Sequence, residues 1–235
     1  MFVTAFPSDS EVSSAVKNLF SATASCEPTA RWNALVPTDT QAPMPLPQGQ
    51  KHVTHVPILE AREIVEFVLD IDRLLGDRAG SPERRIRMML IGYCHIMESE
   101  LMPTLIWNQL RLLHGLAPSW HFTRTTKNGM TKTCWFPKEK YKEIADLAQP
   151  VGQRIGNIVS SVWEARLRNV FSHSRYWLGA THVVASGDLS PISRKRAFGS
   201  SGSFAFDEVR ERYRAAKVLM LQLAEEHAKA CRTYK

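Results

Sequence analysis

The stretch from Ile155 to His173, IGNIVSSVWEARLRNVFSH, decides how the chain is read. Its first half places Ile155, Ile158, Val159 and Val162 on one stripe when each residue turns by about 100°, the geometry of an α-helix with one buried face. Carrying that face onward puts Arg166, Asn169 and His173 on it. Two turns of Ile and Val followed by Asn and His demand polar partners, because a buried polar group left unpaired costs roughly 1–3 kcal/mol. Two readings follow. Either the core satisfies them, with a backbone carbonyl or Glu98 bonded to His173, or the face opens onto a site.

Outward from this stretch the chain reads as mainly helical. Ile58, Ala61, Ile64, Val65, Val68, Leu69, Ile71 and Leu75 recur at helical spacing and Gly76 follows as a stop. Ser81, Pro82 and Glu83 supply a cap, a first-turn proline and an acid at the positive end of the next helix. That helix extends to about Leu113, with Pro103 predicting a kink or a break near Glu100. Asn128-Gly129 between two Thr- and aromatic-rich runs signals a hairpin. Helical spacing returns from Pro137 or Lys138 to about Phe171, with a break expected at Pro150. A short strand over Thr181 to Asp188, a basic Gly/Ser loop and a last helix over Asp207 to about Cys231 complete the expectation: an antiparallel bundle of four to five helices with one or two small β-hairpin or loop insertions.

Residues 1–51 are rich in Pro, Ser, Thr and Ala and read as an N-terminal extension, interrupted by a weak helical pattern around Ser10 to Phe20; residues 52–235 read as the helical domain. A chain of 235 residues that is 44% hydrophobic and 23% charged is expected to fold around a real core. No apolar run approaches the roughly 18 residues a membrane span needs, and Met1 to Ser10 does not have the build of a secretory signal, so a cytoplasmic protein without a membrane partner is expected. Cys26, Cys94, Cys134 and Cys231 form no CxxC pair, and His52, His55, His114, His121 and Cys134 lack the spacing of a zinc site; no metal and no cofactor is expected. A net charge of +7 favours polyanionic partners without proving one.

The local string Leu167-Arg168-Asn169-Val170-Phe171-Ser172-His173-Ser174 resembles the signature of the HEPN family: an Arg, commonly followed by a polar residue, then a His after four to six intervening residues near the end of a long helix. The upstream helices and the final amphipathic helix resemble the family's layout from about Ile58 to Cys231, while residues 1–51 and the Asn128-Gly129 hairpin lie outside it. The resemblance implies an endoribonuclease that cuts single-stranded or loop RNA without a metal, in a defence, toxin or stress setting. It equally admits a non-catalytic HEPN module that binds RNA, a nucleotide or a protein.

Arg168, Asn169 and His173 are the catalytic candidates. His173 can move a proton near neutral pH, Arg168 can grip phosphate oxygens in a bidentate fashion, and Asn169 can orient either. Five residues apart on an ideal helix, Arg168 and His173 point about 140° from each other, so a second copy or a local bend must complete the site; the family resemblance implies a homodimer. Arg175, Tyr176 and Trp177 are candidates for contacting phosphates and stacking on bases, or else a surface cation and two packing aromatics. In the related toxins paired with an antitoxin, a Tyr stands two residues after the His; Tyr176 stands three after His173. The run Ser193-Arg194-Lys195-Arg196 reads as an RNA-guiding patch or a solvated loop.

Overall fold

Helix-forming signals and their stops account for most of the architecture. The computed structural model describes residues 6–36, 57–76, 80–119, 122–125, 128–134, 136–172, 176–185 and 203–233. Helices α1 (Asp9–Ala22), α2 (Pro28–Leu35), α3 (Pro57–Gly76), α4 (Pro82–Glu98) and α5 (Leu101–Leu113) come first. The hairpin β1 (Thr123–Thr125) and β2 (Thr131–Thr133) is followed by α6 (Pro137–Ala148), α7 (Ile155–Val162) and α8 (Ala165–Ser172). A three-stranded antiparallel sheet in the order β3 (Tyr176–Leu178), β4 (His182–Ala185) and β5 (Ser203–Ala205) leads into α9 (Phe206–Arg232). The fold is thus mainly helical with small antiparallel sheets.

The expected starts and stops are in place. Ser81 caps α4 through Arg84 N–H, with Pro82 at the first helical position. The Pro103 signal resolves as a break at Ser99–Glu100, which leaves the proline in the first turn of α5, where its missing N–H is harmless. Asn128-Gly129 turns between β1 and β2, with Gly129 at φ 76°, a conformation glycine adopts without strain.

Helix α5 runs through the middle of the core: Leu101 to Leu110 are all buried, Trp107 completely. Helices α4 and α9 pack closely because Gly92 leaves room for the Tyr213 ring; a Cβ at Gly92 would stand 2.5 Å from Tyr213 Cε2. Tyr213 then donates to Asp72 at 3.1 Å and Lys217 pairs with the same carboxylate at 3.0 Å, tying α9 to α3.

Two expectations need correction. The N-terminal extension is not an unpacked arm over its helical part. Val12, Ala15, Val16 and Leu19 of α1 enter the same core as the rest, α2 adds Ala34 and Leu35, and Arg214 of α9 pairs with Asp9 and donates to the Pro7 carbonyl at 2.7 Å. A few apolar residues at helical spacing outweigh a Ser/Thr-rich average. The Pro-rich run Ala42 to Gly49 lies outside the described residues.

The second correction concerns the stretch that decided the reading. Its helix does not run from Ile155 to Phe171: Trp163 is extended, with φ −68° and ψ 125°, and ends α7. The Tyr93 hydroxyl donates to Val162 O at 3.0 Å and accepts from Glu164 N–H at 2.8 Å, while Arg212 donates to the carbonyls of Ser161 and Val162 at 3.0 and 3.1 Å. These side chains satisfy the backbone groups that a broken helix would otherwise leave orphaned. The Ile and Val face of α7 therefore cannot be extrapolated onto Arg166, Asn169 and His173.

Candidate functional site

Helix α8 is preceded by Glu164, whose side chain accepts from Arg166 N–H at 3.1 Å in the manner of a cap and also holds the Arg166 guanidinium. Burial works against ionisation of Glu164, but the hydrogen bonds from Arg166 and the charges of Arg166 and Arg212 prevail and hold its carboxyl below the ordinary value of 4.5. Leu167 anchors the helix in the core while Arg166 lies outside, its guanidinium over the Phe204 ring. Arg168, one residue further, reaches across to α4.

There the Arg168 Nε donates to Oε1 of Glu98, the last residue of α4, at 2.5 Å, with the two side chains 28% and 35% exposed. A half-buried cation placed this way is oriented by its carboxylate yet open on one side to solvent. Cys94, one turn earlier on α4, lies in the same field; burial above all, reinforced by Glu98 and opposed by Arg168, pushes its thiol up to about 12. It stays protonated and is no nucleophile at neutral pH.

The corner continues toward α6. Lys140 pairs with Glu100, and the Tyr141 hydroxyl donates to Met97 O at 2.8 Å while its ring lies against Trp163, centroids 4.9 Å apart. The end of α4, the α7–α8 break and the first turn of α6 thus meet at one place, with Arg168 on it.

Of the candidates from the sequence, Arg168 is set in this corner and Asn169 lies next to it in α8, its side chain outside the described residues. His173 and Arg175 also lie outside them, as does the basic run Arg194 to Arg196. Ala185 and Ser203, which bracket that run, stand at the same end of the sheet as Tyr176, since Tyr176 pairs with Ala185 and Val184 with Ser203. Tyr176 is half-buried with its ring 5.7 Å from that of Phe171, the posture of a packing aromatic. Trp177 is the aromatic that faces solvent, 55% exposed, across from Val184. Alternation along a strand makes one of two neighbouring aromatics point outward, but which one depends on the register of β3 with β4.

Glu98 is bonded to Arg168, and His173, for which the sequence offered Glu98 as one possible partner, lies outside the described residues. Among the described residues no group of three or more His, Cys, Asp or Glu side chains gathers to hold a metal ion, and no helix is long and apolar enough to cross a membrane. No protein-family model, curated protein or solved structure matches the chain, so the reading of this corner rests on its own residues.

Proposed function

We propose that the chain is a HEPN-type endoribonuclease acting on single-stranded or loop RNA without a metal, with Arg168, Asn169 and His173 as its catalytic set. The observation that carries the reading is Arg168 itself: a cation in the middle of a short helix, held by Glu98 in a half-exposed corner, five residues before a histidine. In this mechanism His173 takes the proton from a 2′-hydroxyl, the 2′-oxygen attacks phosphorus as the bond from phosphorus to the 5′-oxygen breaks, and the 5′-oxygen departs with a proton taken from water, leaving a 2′,3′-cyclic phosphate. Arg168 stabilises the charge gathering on the phosphoryl oxygens, and Asn169 orients the histidine or the phosphate. A homodimer brings the second copy that one motif needs, and Arg175 grips the incoming strand. Tyr176 yields its stacking role to the exposed Trp177.

The same reading carries an antiparallel bundle of four to five helices within residues 52–235, a cytoplasmic setting in defence, toxicity or stress, and an antitoxin or defence-system protein as partner. One observation favours a second reading, a non-catalytic HEPN module: Arg168 already has a carboxylate partner, as a purely structural cation would.

Incubation with a mixed RNA pool in EDTA separates the two. The wild type is expected to cleave and to leave cyclic phosphate ends, and Arg168→Ala to lower the rate by about 10²–10³. His173→Ala, with its fold checked by circular dichroism, should lower it at least as far. Full activity in His173→Ala would sink the mechanism, and no cleavage by any of the three favours the binding module.

A further inference from the structure

The β1–β2 hairpin takes no part in the Arg168 reading, yet its charges are unusual. Arg124 and Lys132 are directly opposite one another across the strands, a like-charge pair that destabilises a hairpin unless something negative joins it. Glu139 does so, 3.2 Å from Lys132 but 4.0 Å from Arg124, too far for a hydrogen bond to the latter. Among the described residues the buried Nε of Arg124 has no hydrogen-bond partner. Glu139 thus serves both cations, and Glu143 also acts on Arg124 by charge, with no hydrogen bond to its Nε.

Close to this pair in the chain, Phe136 and Met130 are 69% and 65% exposed. Phe136 caps α6, whose first turn carries Lys140 to Glu100, two residues from the Glu98 that holds Arg168. Hairpin and candidate corner are therefore joined through a single helical turn.

We infer that the β1–β2 hairpin is a contact surface for the sugar-phosphate backbone of single-stranded RNA, with Arg124 and Lys132 taking phosphates and Phe136 stacking on a base. Cations together with an exposed aromatic ring are the combination that holds single strands without reading their sequence. An acidic protein segment would use the cations but leave Phe136 idle. The inference takes its ligand class from the RNA reading and does not require Arg168 to be catalytic.

The test uses 2′-O-methyl oligouridines, which lack the attacking hydroxyl and so report binding alone, in lengths of about 4 and about 16 nucleotides. The double variant Arg124→Gln, Lys132→Gln is expected to bind the longer strand roughly tenfold more weakly and to lower the slope of log affinity against log salt by about 1.4, two phosphates at about 0.7 each. Lys132→Gln alone, at an exposed position, should lower the slope by about 0.7 even if the double variant misfolds. Phe136→Ala should weaken binding at least about fivefold and Phe136→Trp should restore it.

Unchanged affinity and slope overturn the proposal, as does a polyglutamate peptide that competes as well as RNA and is indifferent to Phe136→Ala. Cleavage of natural RNA that survives such a result leaves the Arg168 reading standing; hairpin-dependent binding with no cleavage by the wild type sustains the hairpin and removes the nuclease.

Discussion

Helices α7 and α8 have eight residues each and follow one another with only Trp163 and Glu164 between them, yet they are held in opposite ways. In α7, Ile155, Gly156, Ile158, Val159 and Val162 are buried, and Gly156 lies so near Ala148 of α6 that an added Cβ would come within 2.7 Å of it. In α8, Leu167 is fully buried, Phe171 packs partly against the core, and Arg166 and Arg168 are tied to Glu164 and Glu98. Close packing fixes α7; directional polar bonds fix α8. Dispersion and burial are spread over many atoms and forgive the loss of any one, whereas a polar bond either has its partner or does not. The position of Arg168 should therefore depend more on residues that organise the break than on the apolar core beneath it.

The largest effect expected from that contrast comes from Arg212, whose side chain is 11% exposed. It donates to Ser161 and Val162 carbonyls and to Glu208, and it lies 3.7 Å from Glu164. Arg212→Met leaves two carbonyls and two carboxylates short of a partner and should cost about 3 kcal/mol, lowering the melting temperature by roughly 6–12 °C. Hydrogen exchange should show α8 amides losing protection before those of α7. Equal loss in both would mean that the two helices are one cooperative unit, and the contrast would fall.

Tyr93 tests the same joint with a smaller change. Its hydroxyl is fully buried, and burial above all raises the phenol far beyond its ordinary range, so it stays protonated and keeps donating to Val162 O while accepting from Glu164 N–H. Tyr93→Phe should cost about 1–2 kcal/mol, read from denaturant midpoints at unchanged slope. If the nuclease reading holds, it should also slow RNA cleavage without altering the salt dependence of binding.

These residues also explain what the sequence could and could not tell. The helices α3, α4, α5 and α9 were legible because their apolar spacing and caps are local, and so were the break before Pro103 and the turn at Asn128-Gly129. The break at Trp163–Glu164 was not, since neither Gly nor Pro marks it; its causes are Tyr93 and Arg212, some 69 and 51 residues away in the chain. At the candidate site, residue types and spacing singled out Arg168, while its pairing with Glu98, 70 residues distant, has no local signal in the chain. Whether Tyr176 or Trp177 faces solvent followed from a strand register that no local pattern encodes.

The smallest of the expected effects, and the most specific to α8, is its response to acid. The Glu164 carboxyl is held below 4.5 when folded, so the folded state favours the ionised form and the unfolded state protonates first as pH falls. The stability this group contributes is fully present above about 4.5 and is lost as pH drops through the folded value. Protonation also removes the acceptor that caps α8 and holds Arg166, so below about pH 4.5 α8 should loosen while α7, with no ionisable side chain of its own, keeps its protection. Glu164→Gln should be less stable than the wild type near neutrality and should flatten the acid limb of its melting temperature plotted against pH. An acid limb of unchanged steepness in that variant would assign the acid sensitivity to other carboxylates and leave the cap of α8 as a contact without energetic weight.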